Sequence, residues 1–455
     1  MCETRAGRRC RSGPAGGPVR LAVAASVAAM TLSAPSPSSS ASRILTHRAS
    51  ATPFARSRGR DVLAALIDRP MPVLAHYLGR TVVAADPVET IGPGEVWNAL
   101  ADRGRSGDDP LAGALIGLLA YDLAGDIEAL PAPRAAGGPP TAALGRFDTV
   151  AVEEPDGSWR IASCGSAARA AELERIVARA VAPARAQVSA GEPTPSLSPE
   201  AHRRAVARAR ELIRAGDCYQ VNLATRLRAA TSAEPLQLAL ALWDAAGPAR
   251  HAAFVGLPGG AVISASPERL LAVLDGIALT EPIKGTAPLG APPEELLSEK
   301  NRAEHVMIVD LMRNDLGRVA RRGGVRVEAL LTRRPTPYVD HLVSDVRAEL
   351  RPGVSTAEIM RAVFPGGSVT GAPKVRAMEV IHELEPVGRG PAYGSVAVVG
   401  TDGSLDASVT IRTAWLAAGT VDYWTGGAIV WDSDARAEHA EAMLKAAPFL
   451  KALAL

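Results

Sequence analysis

The 455-residue chain is 47% hydrophobic but only 4% aromatic, which suffices for one large core or two ordinary ones and argues against a carbohydrate- or nucleic-acid-stacking surface. Its formal charge of +2 conceals an asymmetry, because residues 1–60 hold ten Arg and one acid and leave 40 basic against 47 acidic residues in the remainder. The body is therefore mildly acidic and is not a polyanion binder.

In chain order, Arg8, Arg9, Arg11 and Arg20 precede an apolar run of 14 residues, Leu21 to Ala34, and the Pro/Ser-rich stretch APSPSSSAS. A secretory signal shares this pattern, but the run is mostly alanine and valine and too short to span a bilayer. The expectation is a disordered or spurious N-terminal extension over residues 1–60. Cysteines at 2, 10, 164 and 218 have no paired spacing, so neither a disulfide framework nor a zinc site is indicated. A reducing, cytoplasmic compartment fits.

From about Arg60 the pattern becomes globular: a helix-like DVLAALI, a strand-like RTVVAADP, an apolar GALIGLLAYDL, then FDTVAVEE and SWRIASC separated by a Pro-Asp-Gly turn. The segment AARAAELERIVARAV reads as a helix, and QVSAGEPTPSLS as a polar connector. The boundary between an N-terminal region, 61–190, and a second region, 191–455, is placed in that connector. The second region opens with Ser198 as a helix N-cap, Pro199 at the first helical position and Gly216 as the stop. Neither repeats nor regular βαβ spacing follow, so the fold class expected is α+β with mixed, largely antiparallel sheets.

Chemistry concentrates in this second region. Lys284 lies in PIKGT after a strand-like IALTEPI, where Pro282 and Gly285 argue for a tight, exposed turn. A nucleophilic amine must be neutral, which requires desolvation or a nearby cation. Glu268, at the end of strand-like AVISASP, would stand with Lys284 at the mouth of one sheet. Glu304 sits on a helix, and Glu438 and Glu441, three apart, share one face of a terminal helix with Lys445 a turn beyond. The Gly-rich FPGGSVTGAPK, with Thr370 and Gly371, leads into a helix whose free N–H groups suit an anion. Cys218 has no basic neighbour and reads as a packed residue.

The ordered series GDCYQVNLA, SASPERLL, EPIKGT, EKNRAEHVMIVDLMRNDLGRV, GGSVTGAPKVRAMEVI, TIRT and EHAEAMLK resembles the chorismate-utilising enzymes. These include the large subunits of anthranilate and aminodeoxychorismate synthases and the isochorismate and salicylate synthases. The resemblance covers roughly residues 62–455 and strengthens after 198. It implies an anthranilate synthase component I-like chorismate-binding fold with Lys284 as covalent nucleophile, Glu268 as general acid and His341 as an active-site histidine. It further implies Mg2+ held by Glu304 and Glu441 with Glu438 nearby, and a carboxylate clamp of Arg412, Gly426 and Gly427. Lys445, Thr370 and Gly371 complete the substrate contacts.

Two positions discriminate among family members. The aminodeoxychorismate members resemble this chain in having lysine at 284, where anthranilate and isochorismate members have alanine. Isochorismate and salicylate synthases have a water-activating lysine where this chain has Gln220. The resemblance therefore implies amination of chorismate at carbon 4, with anthranilate or isochorismate formation, or a weakened partner-binding subunit, as alternatives. Two departures from the family pattern are Ala287–Leu289 after PIKGT and Ala392 where a tyrosine is expected. No cysteine sits in a Gly-x-Cys-x-Gly turn, so ammonia is expected from a separate glutaminase subunit.

Overall fold

The computed structural model describes residues 58–102, 109–134, 138–185, 187–247, 249–290, 292–297, 299–335 and 339–455. The expected extension lies outside them except for its last three residues, and the helix Gly59–Leu66 already begins there. Among the described residues no helix is long and apolar enough to cross a membrane.

Two antiparallel sheets carry the architecture, in agreement with the α+β expectation. The first, of eleven strands, runs through Gly371–Ala372, Gln220–Ala230, Thr420–Ile429, Thr413–Ala417, Gly260–Ser266, His251–Leu257, Val73–Tyr77, Arg80–Ala84, Thr149–Glu153 and Trp159–Ser163, with Thr194–Pro195 pairing on Gln220–Ala230 as the eleventh. The second, of ten, runs through Ile283–Pro288, Val339–Leu350, Ile277–Thr280, Arg269–Leu274, Leu405–Ser408, Ser395–Val399, Ala114–Leu119, Ala142–Phe147 and Glu89–Ile91, with Ala320–Pro335 pairing on Val339–Leu350 as the tenth. Strand alternation sorts the side chains into layers. Val73, Ala75 and Val262 of the first sheet share one core cluster with Leu115, Ala272 and Val398 of the second. Leu74, Phe254 and Ile263, on the other face, pack with Leu238, Trp243 and Phe449 of the helices.

Several local expectations hold. The helix Pro199–Arg214 is capped by Ser198, whose hydroxyl accepts from the Ala201 amide, with proline in its first turn. Thr149–Glu153 and Trp159–Ser163 form the expected hairpin, and Ala167–Arg179 is a helix. Cys218 is buried in an apolar cluster with Val206, Leu212 and Ile381. The boundary at 190/191 does not divide two bodies: Val73–Tyr77 pairs with His251–Leu257, and Ala114–Leu119 with Ser395–Val399. The connector itself is stitched to the first sheet through Thr194–Pro195.

The chain crosses from the first sheet to the second between Ser266 and Arg269. Arg269 fixes this crossing. Its Nε and Nη2 donate to the two oxygens of Asp406 at 2.9 Å, and its Nη1 pairs with Glu281. Burial alone would raise the Asp406 pKa, but the Arg269 charge and a 3.0 Å hydrogen bond from His76 outweigh it and hold the carboxyl well below its usual range. Losing one member of a buried pair strands the other charge. Asp406→Ala is therefore expected to lower stability by about 3–5 kcal/mol at neutral pH. Urea unfolding followed by circular dichroism checks this, and a loss below about 1 kcal/mol would contradict the anchoring role.

Candidate active site

Glu268 stands at the sheet crossing, not at the mouth of one sheet as expected. Pro267 and Glu268 lie outside both flanking strands, so the carboxyl reaches the seam between the sheets. The side chain is buried and makes no pair with Arg269; the Ser368 hydroxyl donates to its Oε1 at 2.6 Å. Burial, opposed by that hydrogen bond and by Lys284, raises its pKa to about 7.

Lys284 is a second correction. It belongs to the strand Ile283–Pro288, which pairs with Val339–Leu350, and is not on an exposed turn. Pro282 and Gly285 misled because their turn chemistry here makes a β-bulge: the register slips between Ile283 and Thr286, and Gly285 takes φ +78. The bulge aims a half-buried lysine at the seam, with Nζ 3.4 Å from the Ser368 carbonyl oxygen. Burial lowers its pKa; Glu304, Glu268 and Glu441 act in the opposite direction, and Lys445 adds to the lowering. The same electrostatic neighbourhood thus contains Lys284, Glu268 and two of the three carboxylates marked in the sequence.

Those carboxylates come from two helices, Glu299–Gly317 and Ala435–Ala452. Lys445 Nζ lies 2.7 Å from Glu441 Oε1 and 3.2 Å from the Gly426 carbonyl oxygen, while Ser433 donates to Glu438 at 2.6 Å. Glycines shape the floor. A Cβ on Gly427 would meet Lys445 Nζ at 3.5 Å, Glu438 Oε2 at 3.6 Å and Glu441 Oε1 at 3.9 Å, filling the cradle. On Gly426 or Gly371 it would lie 2.1 Å from the carbonyl oxygen of Leu223 or Gln220, so both are fixed by close strand approach. Glu438 and Glu441 present carboxylate oxygens at this cradle, the donor type that suits a hard dication such as Mg2+, with Lys445 paired to Glu441 beside them.

His341 is buried on Val339–Leu350, and burial followed by the Arg412 charge lowers its pKa to about 4, so the ring is neutral at pH 7. Arg412 itself takes φ +51 and its carbonyl accepts from Ala265, which ties it to the strand leading to Glu268. Gln220 begins the first sheet's strand fully buried, and neither amide atom has a partner among the described residues. Thr370 spends its hydroxyl locally, donating to Gly366 at 3.0 Å. Ala392 is packed, and Tyr393 stacks 4.6 Å from the Arg389 guanidinium, opposite Tyr121 at the same distance. Ala287 and Pro288 hold register opposite Asp340 and Val339, and Leu289 is exposed.

Two residues went unassigned in the sequence. Ser368, inside the quoted GGSVTG, touches both Glu268 and Lys284. His305 follows Glu304, bonds the Ser344 hydroxyl at 2.7 Å, and is held near pKa 4 by burial, with the Lys284 charge also acting to lower it. Their adjacency in motifs was visible; their contacts depend on the sheet seam.

A partly enclosed lysine, a carboxyl whose pKa is raised to about 7 and carboxylates from two helices make this seam the candidate enzyme site. The chain belongs to the chorismate binding enzyme family, whose profile matches residues 71–451. It is 42% identical over 345 residues to an aminodeoxychorismate synthase component 1 of Klebsiella aerogenes, covering 73% of this chain and 75% of that protein. It is 36% identical to an anthranilate synthase component 1 of Streptomyces coelicolor, covering 88% and 86%. The crystal structure of anthranilate synthase component I from Streptococcus pneumoniae superposes with TM-score 0.69 at 27% identity, covering 83% of this chain and 89% of that one. The chain is a chorismate-utilising enzyme.

Folding raises the Glu268 pKa, so the folded state loses stability relative to the unfolded chain as pH rises from the unfolded value toward about 7. A salt-bridged carboxylate does the reverse. Glu268→Gln removes this penalty and should gain up to about 3 kcal/mol over the wild type at pH 8 and much less at about pH 5. Equilibrium urea unfolding at the two pH values checks it; a difference independent of pH would refute the raised pKa.

Proposed function

We propose that the protein aminates chorismate at ring carbon 4, giving 4-amino-4-deoxychorismate, with Lys284 as covalent nucleophile and a separate glutaminase subunit as the ammonia source. The observation that carries this reading is the convergence of Lys284, Glu268 and the carboxylates on one seam. In the first step the neutral Lys284 amine forms a bond to carbon 2, both conjugated ring double bonds shift by one position, and the carbon 4–oxygen bond breaks. Glu268 gives its proton to the departing hydroxyl, which leaves as water. Ammonia then bonds carbon 4, both ring double bonds return to their original positions, and the carbon 2–lysine bond breaks, with the surplus proton taken up by the Glu268 carboxylate.

The chain's other residues bind and orient. Arg412 offers a two-donor fork to the enolpyruvyl carboxylate, and Lys445 would exchange its Glu441 contact for the ring carboxylate. Glu304 and Glu441, with Glu438 beside them, would hold Mg2+, which when bound supplies a positive anchor for that same carboxylate. Neutral His341 can hydrogen-bond near the leaving hydroxyl. The unpartnered amide of Gln220 can bind a polar group but cannot serve as a base, which favours ammonia over activated water as the incoming nucleophile. The likeness to a protein named aminodeoxychorismate synthase component 1 supports the reaction, and the word component supports a partner.

Purified protein incubated with chorismate, Mg2+ and ammonium is expected to form 4-amino-4-deoxychorismate. Glutamine alone should give none until a glutaminase subunit is added. Lys284→Ala should lower formation of this product by at least about two orders of magnitude. Anthranilate or isochorismate as the wild-type product, or an unchanged rate in the variant, would refute the assignment.

A further inference from the structure

Ser368 occupies the single turn of 3-10 helix Gly367–Val369, buried at the seam of the two sheets. The turn is wedged: a Cβ on Gly367 would lie 2.5 Å from Leu311 on one side, and one on Gly366 would lie 3.1 Å from Leu270 on the other. Its carbonyls are also occupied. Arg389 donates to Val369 at 2.7 Å, Thr370 donates to Gly366 at 3.0 Å, and the Asn222 amide donates to Thr370 at 2.8 Å. From this fixed turn, Ser368 presents its hydroxyl to Glu268 at 2.6 Å and its carbonyl oxygen to Lys284 Nζ at 3.4 Å.

We propose that Ser368 is a positioning residue that sets the acid and the nucleophile against one another, its hydroxyl fixing which oxygen of Glu268 carries the proton and its carbonyl fixing the direction of the Lys284 amine. This rests on the reading of Glu268 as acid and Lys284 as nucleophile. A hydroxyl that donates to Oε1 makes that atom the carbonyl oxygen of the protonated acid, so the proton resides on Oε2. One N–H of the neutral lysine directed at the Ser368 carbonyl leaves the nitrogen lone pair less freedom. Among the described residues the charged group acting on Glu268 is Lys284, because Arg269 turns away to Asp406 and Glu281. The Ser368 hydrogen bond favours the ionised carboxyl, in opposition to burial.

The test combines a titration that needs no substrate with kinetics. The protonated Glu268 carboxyl is followed by difference infrared spectroscopy, identified by its loss in Glu268→Gln, in wild type, Ser368→Ala, Ser368→Cys and Ser368→Thr. Ser368→Ala should move the midpoint upward by about 1 pH unit, Ser368→Cys by less because a thiol is a weaker donor, and Ser368→Thr little. On whichever product the wild type forms from chorismate, Ser368→Ala should lower kcat by about tenfold or more with KM nearly unchanged, and Ser368→Thr should restore most of it. An unmoved midpoint in both Ala and Cys variants overturns the proposal, as does a moved midpoint with undiminished kcat. If the wild type makes no aminated product, the reaction assignment fails while the titration still decides the hydrogen bond.

Discussion

The structure depends on the buried pairing of Arg269 with Asp406 and Glu281. Arg269 is the first residue of its strand in the second sheet, and Asp406 sits on the neighbouring strand Leu405–Ser408. Through His76 and the Leu78 amide, the same aspartate is also bonded to the first sheet. One carboxylate therefore clamps two sheets at the point where the chain passes between them. Glu268 immediately precedes this clamp, so the acid is held by the same ionic contact that holds the fold.

Burial at the seam then pushes neighbouring groups in opposite directions. Desolvation disfavours whichever form is charged, which raises the Glu268 carboxyl and lowers the Lys284 amine and the His341 ring. An acid that keeps its proton and an amine more ready to lose one are what covalent attack with a departing hydroxyl requires. The carboxylates on the two helices pull the other way on Lys284. A dication among them would offset that pull, which ties the proposed metal to the proposed role of Lys284 through electrostatics alone.

What could be read in advance followed the range of the interactions. The helix Pro199–Arg214 was legible because Ser198, Pro199 and Gly216 act within a few residues, and the hairpin through Gly157 because alternation and turn are both local. Strand pairing across residue 190 was not legible because nothing near Val73 announces that its partner is Val255. Lys284 was found by motif but placed on the wrong backbone, since a Pro and a Gly flanking a lysine fit a turn and a bulge equally. Ser368 was quoted but given no role, because its two contacts come from residues 100 and 84 positions away. Metal-ligand candidates on Ala435–Ala452 were legible because helical spacing puts Glu438 and Glu441 on one face.

The central claim is that Lys284 bonds to the substrate before ammonia does. It is tested most directly by incubating the protein with chorismate and Mg2+ in the absence of any ammonia source, quenching, and measuring the intact mass. The account predicts an added mass equal to chorismate less one water, carried by the peptide containing Lys284 and absent from Lys284→Ala. A wild-type chain of unchanged mass that nevertheless forms the aminated product when ammonium is supplied would contradict it.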